Sequence, residues 1–321
     1  MTEENVISIT SNADTVRIAI NNLVASSSYT QAQIARETSI GKTRLSQFLS
    51  NSYKGDNAPI ISTLHQWLDM HSNKQNSMPV APDFVQTTTA KQVISTLRYA
   101  QASRGDGMSV VMGAPGVGKS AAAKHYADKM PNCWLIIASP SIAGLVGFFY
   151  ELAMELGIEN PPRRKDSLCH AIRHRLEGTN GLIVIDEADH LQLEVIEELR
   201  VMQQKVGVGL ALVGNPTVYG KMVGDSRKVD LSRLESRIAK KLSIPKVKKS
   251  DISAIASAWG LISDSEMKLI HSIADKRGQL RKLSHTLRLA SMIAQGSNER
   301  LGESHIRDAF NDLKQEGFDH V

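Results

Sequence analysis

The octapeptide Gly113-Ala114-Pro115-Gly116-Val117-Gly118-Lys119-Ser120 constrains this chain more than any other stretch. It fits G-x-x-x-x-G-K-[ST] in full and stands between the apolar run Ser109-Val110-Val111-Met112 and an Ala-rich segment at 120–129. Strand, glycine loop and helix in that order form the setting in which this motif folds around phosphate. The glycines let the backbone turn its N–H groups inward, and the helix that follows adds the positive end of its dipole. Residues Gly113, Ala114, Pro115, Gly116, Val117, Gly118, Lys119, Ser120 and Ala121 are therefore expected to hold a nucleotide's phosphates. Lys119 neutralises β- and γ-phosphate charge, and the Ser120 hydroxyl ligates Mg²⁺.

A second apolar run, Leu182-Ile183-Val184-Ile185, ends in Asp186-Glu187. Beside a complete phosphate loop this reads as a Walker B strand, in which Asp186 holds Mg²⁺ through water and Glu187 polarises the attacking water. A further run, Leu210-Ala211-Leu212-Val213, ends in Gly214-Asn215-Pro216, which puts the Asn215 amide where strand ends converge on the crevice. It is expected to sense the γ-phosphate or orient the lytic water; a plain turn at Asn215-Pro216 is the alternative.

With 321 residues the chain is long enough for two or three cores. At 41% hydrophobic and 22% charged residues, a disordered chain is disfavoured, and no apolar run nears the ~18 to 20 residues of a membrane span. The opening Met1-Thr2-Glu3-Glu4 has no basic or apolar leader character, and Cys133 and Cys169 form neither a disulfide framework nor a zinc set. A cytoplasmic location without membrane contact is the expectation. His170 and His174, spaced i, i+4 beside Cys169, lack an acidic partner set and read as a solvated helix face.

Four buried-strand runs, including Trp134–Ala138, alternate with helical patterns, so 84–245 is expected to be an α/β unit with a parallel sheet covered on both faces. Residues 246–321 show helical periodicity throughout and are expected to form a small helical lid. The polar, proline-ended stretch 71–83 reads as a linker, leaving 1–70 as a separate all-α domain. In that domain Tyr29 to Leu49 has a helix-turn-helix layout: Thr30 as N-cap, Ile34 and Ala35 packing inward, Ser39-Ile40-Gly41 turning, and Leu45, Phe48 and Leu49 facing the core. The usual turn glycine falls two residues late. Lys42, Thr43, Arg44, Ser46 and Gln47 are left outside, suited to phosphates and base edges, although a helical hairpin for protein contact has the same pattern.

The net charge of +5 is local: residues 221–250 carry ten Lys and Arg against three Asp and Glu, while the other segments balance to within one charge. Lys246, Lys248 and Lys249 at its end, with Arg163, Arg164 and Lys165, are candidates for tracking a duplex backbone.

Phosphate loop, Asp-Glu strand end, strand-terminal Asn, arginine-bearing segment and helical lid, in that order, resemble the AAA+ ATPases across residues 84–321. The resemblance implies that Leu231 to Ile238 supplies an arginine finger to a neighbouring subunit, Arg237 first and Arg233 second, with partners inside the segment as the competing role. Gly278 to Leu283 looks like a sensor 2 segment with Arg281 near the γ-phosphate; a surface arginine is the alternative. A helix-turn-helix ahead of a compact AAA+ core is similar to the MuB-type ATPases of phage Mu transposition. That resemblance implies ATP and Mg²⁺ as cofactors, ATP-dependent self-assembly on double-stranded DNA as an oligomer or helical filament, recruitment and stimulation of a transposase, and release by hydrolysis. A sequence-specific transcriptional regulator with a nucleotide-sensing ATPase, or a helicase loader, shares the same core.

Overall fold

The computed structural model describes residues 3–25, 29–77, 81–82, 84–223, 232–276 and 278–315. The chain divides into two units, Met1–Val80 and Ala81–Val321.

The first unit is helical: α1 (Glu3–Ala25), α2 (Gln31–Glu37), α3 (Lys42–Leu49) and α4 (Ala58–Ser77). Thr30 caps α2 in a capping box, its hydroxyl accepting the Gln33 N–H at 3.2 Å while the Gln33 side chain accepts the Thr30 N–H at 2.9 Å. Val16, Ile20, Ile34, Leu45, Phe48, Leu64 and Trp67 form the core. Arg17 ties α1 to α3 by donating to the Phe48 carbonyl at 2.9 Å, and Trp67 ties α4 to α2 by donating to Glu37 at 2.9 Å. The linker expected from residue 71 is still helix up to Ser77. Residues 71–77 contain neither Gly nor Pro, so nothing breaks the helix before Pro79.

The second unit opens with α5 (Thr88–Ala102) and β1 (Met108–Gly113), then α6 (Lys119–Lys129), β2 (Cys133–Ile137), α7 (Leu145–Glu155), α8 (Lys165–Leu176) and β3 (Leu182–Asp186). It continues with α9 (Leu193–Val206), β4 (Gly209–Gly214), α10 (Pro216–Val223), α11 (Ser232–Glu235) and β5 (Ile238–Ile244). The five strands are parallel in the order β2-β3-β4-β1-β5. Successive residues of each central strand enter different cores: Met108 and Val110, Ile183 and Ile185, Leu210 and Leu212 pack with α7 to α10, whereas Val111, Val184 and Val213 pack with α5 and α6. Burial on both faces is why these strands read as unbroken apolar runs. Edge strand β5 instead alternates half-buried and exposed residues, and its Lys240 and Lys241 lie over the rings of Tyr99 and Tyr219.

Four helices complete the unit: α12 (Lys249–Ala258), α13 (Asp264–Ala274), α14 (Gln279–Gly296) and α15 (Glu303–Gln315). Ile252, Ile270, Leu283, Leu287, Ile306 and Phe310 form their core. Asp251, fully buried in the first turn of α12, accepts the Thr89 N–H at 3.1 Å and the Thr89 hydroxyl at 2.5 Å, fastening the lid to the start of α5. Among the described residues no helix is long and apolar enough to cross a membrane.

Candidate nucleotide site

Strand β1 ends beside β5, where an added Cβ on Gly113 would meet the Ile244 carbonyl oxygen at 2.3 Å. The loop then turns through Gly116 (φ +79°) and Gly118 (φ +95°), left-handed conformations that favour glycine. It delivers Lys119, Ser120 and Ala121 into the first turn of α6, whose N–H groups have no intrahelical acceptor. The buried Lys119 ammonium donates to the Gly113 and Ala114 carbonyls at 2.9 and 3.0 Å. Burial lowers its pKa below the ordinary 10.5; carboxylates of Asp186, Glu187 and Asp189 pull it back up, and Arg281 adds to the lowering.

The adjacent carboxylates of the Walker B strand are made unequal by the backbone. Asp186 closes β3, is buried, and accepts the Glu187 N–H at 3.0 Å. Glu187 has φ +52° and ψ +35°, a left-handed conformation a glutamate adopts at a cost of ~1 to 2 kcal/mol. A 3-10 turn, Ala188–His190, starts immediately after it. The half-buried Asn215 follows β4; its side chain donates to Asp189 at 2.7 Å and accepts the Thr217 N–H at 2.9 Å.

Pro115, Gly116, Gly118, Lys119, Ser120, Ala121, Glu187 and Asn215 line a cavity of about 540 Å³. Arg281, Ser284 and Arg288 of α14 face the same space. Core and lid meet at the loop, where Leu280 donates its N–H to the Gly116 carbonyl at 3.1 Å. Sequence reasoning missed the apolar part of this cavity: Phe84, Val85 and Ala90 from the approach to α5 and its first turn, with Ile255 of α12 and Trp259 just after it. Phe84 stacks on His125 at 3.9 Å between centroids. The Lys119 ammonium and free N–H groups at one end suit phosphate, and the apolar side chains Phe84, Val85, Ala90, Ile255 and Trp259 in the same lining suit a nucleotide's base. Arg288 and Asp189 were also missed; only an i, i+7 spacing from Arg281 along α14 could have flagged Arg288.

The oxygen donors present fit Mg²⁺: the Ser120 hydroxyl in the first turn of α6 and the buried Asp186 carboxylate are hard ligands. Bound there, the ion would neutralise charge on the β- and γ-phosphates. Glu187, Asp189 and His190 also place one ligand atom each within 4.8 Å of one another.

The remaining sequence candidates are scattered. Arg237 is exposed and lies in the turn between α11 and β5; its carbonyl accepts the Met108 N–H at 2.8 Å, at the start of β1. Arg233 belongs to α11 by its backbone, while its side chain and Leu231 lie outside the described residues. On α3, Lys42, Thr43, Arg44, Ser46 and Gln47 are all exposed. Arg163 and Arg164 are exposed ahead of α8, and Lys165 pairs with Glu194 at 3.3 Å. Lys246 and Lys249 are exposed, whereas Lys248 caps α12 and donates to Gln92 at 2.7 Å, a structural engagement that the sequence did not suggest.

The fold is similar to two ORC proteins from Aeropyrum pernix. The ORC2 protein in its ADPNP and ADP complexes gives a TM-score of 0.53 at 18% identity over 73% of this chain and 69% of that one. The ORC1 protein in complex with DNA gives 0.55 at 17% identity over 76% and 70%. Residues 102–222 match the AAA domain family, and residues 236–313 match the family described as Mu B transposition protein, C terminal. Over 302 residues the chain is 43% identical to the ATP-dependent target DNA activator B of Escherichia phage Mu, covering 94% of this chain and 96% of that protein. It is also 43% identical over 265 residues to the Mu-like prophage FluMu DNA transposition protein B of Haemophilus influenzae, covering 82% and 92%. With a complete nucleotide cavity on an AAA core and relatives that match along nearly the whole length, the chain belongs to the Mu B transposition protein family of AAA+ ATPases.

Proposed function

We propose that this ATPase assembles on double-stranded target DNA when ATP is bound between its protomers, that the assembly recruits and stimulates a transposase, and that hydrolysis dismantles it in the host cytoplasm. The observation that carries the reading is the position of Arg237. It stands at the N-terminal end of the sheet, beside Met108, whereas the cavity opens at the C-terminal end beyond Gly113. Six residues of strand separate these ends by about 16 Å, more than an arginine side chain spans. Its guanidinium thus serves a neighbour's nucleotide rather than its own, with Arg233 as the alternative donor, and charge neutralisation is completed only in the oligomer. Lys119, Glu187, Asn215 and Arg281 then act within the protomer, with Ser120 and Asp186 as the Mg²⁺ ligands. Target-DNA activation in the phage Mu relative's name favours this reading over a transcriptional regulator or a helicase loader.

The exposed face of α3, with Lys42, Thr43, Arg44, Ser46 and Gln47, is the helix-turn-helix contribution to DNA contact. Arg163, Arg164, Lys165, Lys246, Lys248 and Lys249 add backbone contacts, and many protomers on one duplex turn modest affinity into avidity. Electron microscopy of the full chain with duplex DNA tests the scheme. Continuous coats are expected with ATP and not with ADP or without nucleotide, and Arg237→Ala coats should persist after wild-type coats have dispersed. Solitary particles in every nucleotide condition would overturn the reading, and point-site footprints without nucleotide would favour the regulator.

A further inference from the structure

The amide of Asn215 is held from both sides. Its carbonyl oxygen accepts the Thr217 N–H at 2.9 Å and also the Thr217 hydroxyl, while its Nδ2 donates to Asp189 Oδ2 at 2.7 Å. Asp189 Oδ1 takes the Asn215 backbone N–H at 3.3 Å. A primary amide has one oxygen and two N–H groups. With the oxygen and one N–H engaged, the group left for the cavity is the second N–H, which suits an anionic phosphoryl oxygen and cannot accept a hydrogen bond from water.

Asp189 is itself fixed. It lies in the 3-10 turn that begins after Glu187, and its backbone carbonyl accepts the ammonium of Lys221 from α10, as does the Leu191 carbonyl at 3.1 Å. Residue 214 has to be glycine for the carboxylate to reach Asn215: an added Cβ would lie 2.7 Å from Asp189 Oδ1 and 2.5 Å from Val218 Cγ2. A bare carboxylate this close to the phosphate loop would repel the substrate, but its two oxygens are turned onto the donors of Asn215. We propose that Asp189 is a positioning residue for ATP hydrolysis, setting the Asn215 N–H toward the γ-phosphate and joining the turn that carries Glu187 to α10. The proposal rests on the reading of Asn215 as the γ-phosphate sensor.

A double-mutant cycle tests it, with steady-state ATPase kinetics on the full chain and a fluorescent ATP analogue to measure binding. Asn215→Ala is expected to lower kcat on the order of 100-fold through loss of a donor to developing charge. Asp189→Ala should lower kcat roughly 10- to 100-fold while KM moves less than about threefold, because binding survives and orientation does not. The double variant Asp189→Ala/Asn215→Ala should fall within about threefold of Asn215→Ala alone, since nothing is left to misplace. The near-isosteric Asp189→Asn keeps the packing but has one acceptor oxygen for the two Asn215 donors and sets its own NH2 against the other, so it carries the test if the alanine variant does not fold. Wild-type turnover in both Asp189 variants beside a slow Asn215→Ala would overturn the proposal and leave the sensor standing, and multiplicative losses in the double variant would also overturn it. Full activity in Asn215→Ala would remove the sensor reading and this inference together.

Discussion

Gly116→Ala separates the two demands made on the phosphate loop. An alanine at φ +79° pays ~1 to 2 kcal/mol for the left-handed backbone, and the same penalty applies at Gly118 with φ +95°. Position 116 has a second demand. Its added Cβ would lie 2.2 Å from the Gly278 carbonyl oxygen and 3.0 Å from the carbonyl carbon, both backbone atoms of the lid's entry into α14. At 118 the nearest atom is Leu280 Cδ1 at 3.8 Å, an ordinary contact. Relieving the overlap at 116 needs a backbone shift of about 1 Å, and overpacking of this kind costs ~1 to 3 kcal/mol. The Leu280 N–H to Gly116 carbonyl bond is lost with it, about 1 kcal/mol more. The lid should therefore undock from the loop more easily by roughly 2 to 4 kcal/mol, a factor of about 30 to 1,000. Hydrogen exchange of the Leu280 amide in nucleotide-free protein reads this directly: exchange should accelerate by that factor in Gly116→Ala and stay within a few-fold of wild type in Gly118→Ala. Equal protection of Leu280 in the two variants would refute the claim that the loop is a docking surface for the lid.

Two further outcomes follow from the same geometry. Burial depresses the Lys119 pKa, so the ammonium opposes folding at pH values below its folded pKa and that penalty fades as pH climbs from there to the unfolded value of 10.5. Phosphate restores the proton's affinity; nucleotide binding should be pH-independent below the free-protein pKa and then weaken by ~tenfold per pH unit above it, with proton uptake visible when titration calorimetry is repeated in buffers of unlike ionisation enthalpy. Asp251→Ala strands two buried Thr89 donors, a loss of about 3 kcal/mol, and should lower the melting temperature of the second unit by roughly 6 to 12 °C in a circular dichroism melt.

What the sequence made legible is what neighbouring residues decide among themselves. The phosphate loop could be read because its positive-φ glycines and the helix behind them are contiguous, and the central strands because Val110 and Val111 face different apolar cores and leave no polar position between them. Helix α4 outran its expected end because a polar composition argues against a core without arguing against a helix. Edge strand β5 does not stand out as an apolar run as the central strands do, since one exposed side lets Lys240 and Lys241 stand in it.

The cavity's other wall was out of reach for a different reason. Phe84 and Trp259 line one space although far apart in the sequence, and the bond that ties α12 to α5, Asp251 to Thr89, spans 162 positions. No period or motif links residues so far apart; only the parallel crossovers, which bring the start of α5 beside the end of β5, bring them together. Asp189 is closer to its partner in sequence, 26 positions from Asn215, yet no motif or spacing singles it out. Its contact with Asn215 emerges only once β3 and β4 lie side by side, with Leu182 opposite Gly209 and Ile185 opposite Leu212. That register carries the turn after β3 to the end of β4. The same pairing that builds the sheet therefore sets Glu187 on the cavity and turns Asp189 onto Asn215, and a shift of one residue between these strands would exchange the two cores' side chains as well as separate these groups.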